Sequence, residues 1–348
     1  MTAPVWDTGG WDPLPPLTGD VDADVCVVGL GASGLTAALE LLDRGRTVVG
    51  IDARTVGGGA AGRNGGLLLA GSAHFYHRAR DPGLYRLTLD ELDRLERDGL
   101  MRRTGSLRIA GSDDEVPDCE QHLAALQADG LPAEWYEGPE GVGLLLPSDG
   151  VTNPLARCRV LAQRVLEGGA RLFERSAAAD VRGDLVTTHG GRVRCEGVIV
   201  AVDGNLEALL PELGSTVRTA RCQMLATAPA PEAQFPRPVY IRWGYDYYQQ
   251  LSDGRVALGG FRDHFESDEW IDVDDPTDAV QTELERFLRD GLGVRAEVTH
   301  RWGGSIAFTP DGLPVLEKVR PGVVAVGAYS GTGNLLGPIF ARRAVANL

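Results

Sequence analysis

Val25-Cys26-Val27-Val28-Gly29-Leu30-Gly31-Ala32-Ser33-Gly34 is the stretch that decides the fold. Four consecutive apolar residues read as a buried parallel strand. Gly29, Gly31 and Gly34 then take the G-x-G-x-x-G spacing at a strand-to-helix turn. The first glycine permits the tight turn, the second removes a Cβ that would block a pyrophosphate, and the third lets helix and strand pack closely. The helix that follows, Leu35 to Arg44, is rich in Ala and Leu and points its N–H groups and positive dipole end at the phosphates. A second strand, Thr47 to Ile51, ends in Asp52, 23 positions after Gly29, where a carboxylate would accept hydrogen bonds from an adenosine ribose. A bare glycine motif is weak in a chain of 46 glycines, but strand, helix, second strand and terminal acid in register predict a dinucleotide site. Ala32 and Ser33 at the helix start, and Ala53 and Arg54 after the acid, complete this part of the predicted set.

The run Gly57-Gly58-Gly59-Ala60-Ala61-Gly62-Arg63-Asn64-Gly65-Gly66 follows before any third strand. Six glycines in ten residues and no large apolar side chain make an exposed backbone surface, suited to a long flat ligand. A nicotinamide-dependent dehydrogenase would instead proceed straight into the next βα unit. The loop is therefore read as running along the pyrophosphate toward an isoalloxazine ring; the plain alternative is a flexible glycine loop. A second glycine turn, Gly327-Ala328-Tyr329-Ser330-Gly331-Thr332-Gly333, joins the buried strand Val323 to Val326 to a C-terminal helix. Its N–H donors would face the pyrimidine edge of a flavin, where a helix N-terminus stabilises the reduced, negatively charged form.

Four segments carry a family resemblance. They are A-D-V-x-V-V-G-x-G-x-x-G-L at Ala23 to Leu35, G-A-A-G-R-N-G-G at Gly59 to Gly66, R-W-G-G-S-I-A-F-T-P-D-G-L-P at Arg301 to Pro314, and the Gly327 to Gly333 turn. Together they resemble the FAD-dependent D-amino-acid-oxidase-like (DAO) superfamily, nearest its gamma-glutamylputrescine-oxidoreductase-like branch. Ala61 stands where that branch usually has Ser, and Glu317 where Gly is common. The resemblance spans essentially the whole chain. It implies FAD and extends the cofactor set to Ala60, Ala61, Arg63, Asn64, Gly65, Gly66, Leu67, Ala178, Ala201, Gly304, Gly331, Thr332, Gly333 and Asn334. Covalent attachment, found in some relatives through a late Cys or a His in the glycine loop, is not expected: no Cys follows Cys222, and Gly59 to Gly66 holds no His.

Composition fits a soluble enzyme. The chain has 348 residues, a formal net charge of −15 and 43% hydrophobic residues. That charge argues against nucleic acid or an anionic membrane as partner. No apolar run approaches the ~20 residues of a membrane span, and the first twenty residues have no signal-peptide layout. Cys26, Cys119, Cys158, Cys195 and Cys222 are scattered without C-x-x-C spacing. Neither a metal site nor a disulfide framework is expected, and the setting reads as a reducing cytoplasm.

The expected fold class is α/β, α+β overall: a Rossmann-type FAD-binding domain (residues 1–74, 150–216 and 301–348) with a discontinuous antiparallel-sheet substrate domain (75–149 and 217–300). Expected helices run from Leu84 to Arg97, from near Asp118 to Ala128, from Leu155 to Glu167 and from Asp278 to Arg289. Period-two patterning in Thr219 to Thr227, Val239 to Trp243, Tyr247 to Leu251 and Arg255 to Gly260 predicts antiparallel strands with one covered face.

The resemblance implies hydride removal from the carbon beside an amine nitrogen, leaving an imine that water hydrolyses. Pocket residues are then shape residues: Arg63, Trp302, Tyr329 and one of Tyr247 and Tyr248, of which Tyr248 is chosen. His74 and His77 follow the glycine loop but read as satisfied surface or core residues, and Arg242, Arg262 and His264 rank lower. Amino-acid oxidases of the superfamily commonly place an Arg between W-x-G and T-x-D-G to clamp the substrate carboxylate. Ile306 occupies that place here, so the expected substrate is a small-molecule amine without an α-carboxylate. The rival readings are oxidation of a 2-hydroxy acid or other CH–OH donor on the same fold, an amino-acid oxidase or dehydrogenase, and a flavin-binding protein with a degenerate pocket. Some relatives set a lysine by the flavin to speed reaction with oxygen. By rough alignment Ala257 fills that place, and Lys318 is the one lysine in the chain. The electron acceptor is oxygen or another carrier, with the balance toward a dehydrogenase or sluggish oxidase.

Overall fold

A computed structural model describes residues 3–72 and 74–348, and these separate into two compact units. The first comprises Trp6–Asn64, Pro154–Ala220 and Ser305–Leu348; the second comprises Gly65–Asn153 and Arg221–Gly304 with a short N-terminal piece ending at Val5.

The first unit is built on a six-stranded sheet in the order Arg171–Phe173, Val48–Ile51, Val25–Val28, Gly197–Val200, Val323–Gly327, Val315–Arg320. The first five strands are parallel and the last is antiparallel. Its central strands are buried along their whole length, as their near-continuous Val and Ile content requires of a parallel sheet covered on both faces. The helix Ala32–Asp43 packs between the helices Pro154–Glu167 and Gly333–Asn347. A four-stranded sheet contains Ala178–Val181 and the hairpin Leu185–Thr188 with Arg192–Arg194. Cys26 lies wholly within this unit's core, and all five cysteines are free thiols. Glu174, fully buried, ties down the N-terminal segment: Oε1 accepts from Trp11 Nε1 (3.0 Å) and Val56 N–H (2.8 Å), and Oε2 from Leu14 N–H (3.0 Å).

The second unit carries an eight-stranded sheet in the order Val298–Phe308, Arg218–Pro229, Arg255–Gly259, Asp246–Gln250, Val239–Ile241, Ser106–Ile109, Gly141–Leu146, Glu134–Gly138. The chain crosses between units within the first two of these strands. From Arg218–Pro229 onward neighbours run antiparallel, except that Val239–Ile241 pairs parallel with Ser106–Ile109. One face is apolar: Leu107, Ile109, Val239, Tyr248, Val256 and Leu258 pack with Val280 and Leu284 of the helix Asp278–Arg286. That helix runs on into a π-helical turn, Phe287–Gly291, which carries Leu288 into the same core. The other face carries Arg108, Tyr240 and Tyr247 in register across three strands, with the helices Pro82–Arg97 and Val116–Ala128 covering its neighbouring part. Among the described residues no helix is long and apolar enough to cross a membrane, and no three His, Cys, Asp or Glu side chains group as a metal site.

Asp149 is a buried acid of this unit, its carboxylate accepting from Ser106 Oγ (2.6 Å) and Ala70 N–H (2.8 Å). Burial raises its pKa from 3.8 to about 7. Between pH 4 and 7 the folded chain therefore holds a proton that the unfolded chain has released, and this group's contribution to stability falls as pH rises through that window. Asn at this position keeps both contacts, since its amide can donate to Ser106 Oγ. Asp149→Asn is expected to gain stability relative to the parent, by about 3–4 kcal/mol, between pH 4 and pH 7.5. Urea unfolding at the two pH values checks this; a difference independent of pH refutes it.

Candidate functional site

The glycine motif of the first unit does three separate jobs. Gly29 has φ +104°, and a Cβ there would lie 2.6 Å from the Ala201 carbonyl oxygen. A Cβ on Gly34 would lie 1.9 Å from the Gly29 carbonyl oxygen, so this glycine serves helix–turn packing. At Gly31 a Cβ would meet only the Ala61 methyl, at 3.0 Å, because that side of the backbone faces a cavity.

The cavity encloses about 460 Å³, within the roughly 300–1,000 Å³ usual for small-molecule sites. Two helices begin at its wall, Ala32–Asp43 and Gly333–Asn347. Neither has a side-chain cap bond or an acidic residue in its first turn, so both positive dipole ends are uncompensated by the chain. Asp52 lies in the same wall. Its Oδ2 accepts from Leu30 N–H (2.7 Å) and Oδ1 from Arg54 N–H (2.8 Å), which fixes the acid beside the glycine turn and leaves further lone pairs toward the cavity. Burial pushes its pKa up, against the lowering effect of those two N–H bonds.

The glycine loop is fastened by amides. Asn64 Nδ2 donates to the carbonyls of Ala60 (3.1 Å) and Ala61 (3.0 Å), and Asn64 and Asn334 exchange side-chain bonds at 3.3 and 3.1 Å. Trp6 Nε1 donates to the Asn64 carbonyl (2.8 Å) and Arg157 to that of Asn334 (2.8 Å). The start of the C-terminal helix is thus held to the loop sixty-four residues into the chain.

Of the residues expected at the cofactor, Gly29, Gly31, Ala32, Ser33, Asp52, Ala53, Arg54, Ala60, Ala61, Asn64, Ala178, Ala201, Gly331, Gly333 and Asn334 line this cavity, as does Tyr329. Gly34, Arg63 and Thr332 belong to the same unit but not to the lining; Thr332 instead bonds the Tyr329 carbonyl at 2.7 Å. Gly65, Gly66, Leu67, Gly304 and Trp302 belong to the second unit, where Trp302 is fully buried. Tyr248 requires a correction. It points into the apolar core, edge-on to Phe235 (5.0 Å) and Phe287 (6.4 Å), and Tyr247 is the one that shares the polar face of the sheet with Arg108 and Tyr240. Strand alternation required the two tyrosines to face opposite ways, but which way depended on the helix after residue 278. His77 contacts Asp118 at 3.4 Å, and Arg242 is engaged by Asp246, Asp263 and His264. Arg262 lies over the Trp270 ring, and Lys318 is exposed.

Sequence reasoning missed Asp203. It lines the cavity, with Oδ1 accepting from Tyr329 N–H (3.1 Å) and Oδ2 from Ala307 N–H (3.3 Å), and burial raises its pKa to about 6. The turn it holds contains Ala328 and Ser330 at φ +53° and +50°, conformations that non-glycine residues adopt only under strain. An acid directly after a buried strand, Val200-Ala201-Val202-Asp203, was the available signal. Ala177, Ala179, Ala208 and Leu209 add an apolar wall, and Ser305 and Ile306 close another side.

A family model described as "FAD dependent oxidoreductase" (DAO) matches residues 24–347. The chain is 26% identical over 377 residues to a probable oxidoreductase OrdL of Rhizobium meliloti (strain 1021), covering 95% of this chain and 85% of that one. It is 26% identical over 357 residues to gamma-glutamylputrescine oxidoreductase of Escherichia coli (strain K12), covering 92% and 82%. Among solved structures, glycine oxidase from Geobacillus kaustophilus superposes with a TM-score of 0.79 at 22% identity over 94% of each chain, a likeness of fold.

The contrast between Gly31 and Gly34 is testable. Gly31→Val is expected to leave the fold intact and to weaken flavin retention on dialysis about tenfold or more. Gly34→Val is expected to destabilise the protein by about 3 kcal/mol or more through the clash with Gly29. Thermal melts with flavin-to-protein absorbance ratios separate the two; equal loss of folding in both variants refutes it.

Proposed function

The chain belongs to the FAD-dependent oxidoreductase (DAO) family and uses FAD, and from that premise we propose that it oxidises the CH–NH bond of an amine without an α-carboxylate. The observation carrying this reading is Ile306, which lines the cavity of the first unit where related amino-acid oxidases commonly have an arginine. Among the lining residues Arg54 is the one cation, and it sits beside Asp52, away from Ile306 in the sequence and on the wall of the ribose acceptor. A substrate carboxylate at Ile306 would be desolvated against an apolar side chain with no cation from this unit to pair with it.

The residues fit FAD. The two uncapped helix starts at Ala32 and Gly333 offer N–H donors and positive dipole ends to the pyrophosphate and the flavin ring's anionic edge. The open side of Gly31 would admit a phosphate closely, Asp52 would accept from ribose hydroxyls, and the alanines at 177–179 and 201 would offer backbone and small apolar contacts to adenine. Bound FAD would supply a hydride acceptor for the carbon bearing the amine nitrogen, and water would hydrolyse the resulting imine. The protein's own part is to hold a neutral amine in line and exclude water. Tyr329, buried against Gly333 and Gly337, braces the turn rather than acting as an acid: burial raises its phenol pKa well above the usual range. Arg63, Trp302 and Tyr247 are proposed as shape and contact residues. We assign the first unit as the FAD-binding domain and the second as the substrate domain, and place the enzyme in the cytoplasm, a setting that five free thiols fit.

The test is anaerobic mixing with amines, amino acids and hydroxy acids while bleaching of the flavin band is followed. Simple and alkylated amines are expected to bleach fastest; glycine, D-alanine or a 2-hydroxy acid bleaching faster than any such amine rejects the reading. The flavin is expected to leave the chain in denaturing solvent, since no Cys follows Cys222 and the glycine loop has no His. Flavin that remains with the denatured polypeptide refutes non-covalent binding. Ala257, buried on the strand Arg255–Gly259, puts no charge where a lysine would speed oxygen reduction. Stopped-flow reoxidation in oxygenated buffer is accordingly expected to be slow. A rate matching a dedicated oxidase, undiminished in Lys318→Met, refutes this.

A further inference from the structure

The second unit holds a cation that the reading above leaves unused. Arg108, on the strand Ser106–Ile109, lies between two aromatic rings, its guanidinium carbon 4.7 Å from the Phe75 ring centre and 5.3 Å from that of Tyr240. Among the described residues no carboxylate reaches it within ion-pair distance, and its polar neighbour is His122 Nδ1 at 3.4 Å. Elsewhere in this unit arginines meet acids directly: Arg221 on Glu269, Arg103 on Asp93 and Glu96. Asp149, the acid nearest in kind, is turned to Ser106 and Ala70 and is only partly ionised at neutral pH. His122 adds no charge, because burial, then Arg108 and His77, lower its pKa to about 2.

Arg108, Ser106, Tyr85 and Tyr240 line a small cavity of about 20 Å³. That is room for roughly one water-sized group, so the cavity admits the tip of a headgroup and not a whole molecule. Cation–π contact with both rings holds the guanidinium at the cavity wall, where its N–H groups can meet an anion. A carboxylate can take two guanidinium N–H groups side by side and is smaller than a tetrahedral oxyanion, which so small a cavity disfavours. We propose that this cavity is a carboxylate-binding subsite in which Arg108 pairs with the carboxylate of a small organic acid, free or borne by an amine substrate at a distance from its nitrogen.

The probe is acetate, added to the holoenzyme and followed by its thermal melt against chloride at matched ionic strength. Acetate is expected to raise the melting temperature saturably in the parent and not in Arg108→Gln, with chloride inert. Arg108→Lys, which keeps the charge but loses the fork, is expected to bind acetate about tenfold more weakly. If Arg108→Gln fails to fold, the Lys variant decides alone: acetate affinity equal to the parent's overturns the proposal, as does an equal response in all three proteins. A second arm separates the two sources. If the ratio of kcat/KM for 4-aminobutyrate over butylamine falls in the variants, the substrate carries the carboxylate. If the ratio holds while acetate protection is lost, the ligand is a separate acid. The acetate response needs no turnover, so its failure is distinguishable from failure of the amine reading.

Discussion

The carboxylate of Asp203 is the constraint on which the candidate site rests. It accepts backbone N–H groups from two segments far apart in sequence, Ala307 at the end of one long strand and Tyr329 in the C-terminal glycine turn. That turn carries two non-glycine residues at positive φ, each storing about 1 kcal/mol or more of strain. Strain of that kind persists only where its surroundings over-determine it. Asp203 does so from one side, the Ser330 N–H bond to the Ala307 carbonyl (3.1 Å) from another, and the tight approach of Gly204 to the Ser305 backbone closes the third.

The same device recurs around the first unit. Asp52 accepts from Leu30 and Arg54, and Glu174 from Val56 and Leu14, so loops are fixed by acids bonded to backbone N–H groups. A carboxylate used in this way satisfies donors that would otherwise be costly to bury. Besides Arg54, the positive character at the cavity wall comes from helix N-termini, which would attract a ligand's phosphates. In the second unit Arg221 and Arg242 are held by acids, whereas Arg108 lies against aromatic rings.

Much of this was legible in the sequence because it is local. The strand, glycine turn, helix and acid between Val25 and Asp52 follow from apolar runs and glycine spacing within thirty residues, and the helices expected at 84–97, near 118–128 and at 155–167 lie within a few residues of the observed Pro82–Arg97, Val116–Ala128 and Pro154–Glu167. What escaped depends on distant partners. The hairpin Glu134–Gly138 with Gly141–Leu146 was not foreseen, since glycines and glutamates obscure its alternation and its pairing with Ser106–Ile109 is a tertiary fact. Val239–Ile241 ends earlier than its pattern suggests, because Arg242 and Trp243 turn at positive φ, with the Trp243 N–H taken by Glu115 Oε1. Asp203 had a local signal, an acid soon after a buried strand, but neither its neighbourhood nor that of Arg108 says which backbone or ring it meets.

Ile306 and Asp203 together sharpen the argument about substrate class. Both line the cavity, one apolar and one acidic with its pKa raised to about 6, so at neutral pH it is largely ionised. A substrate carboxylate placed there would lose its hydration against Ile306 and meet Asp203 as a like charge, two penalties that add. An amine meets neither: its carbon chain gains from contact with Ile306, and any positive charge it carries on entry is favoured by the acid. On the proposed reading, discrimination would come from what this wall refuses as much as from what it binds.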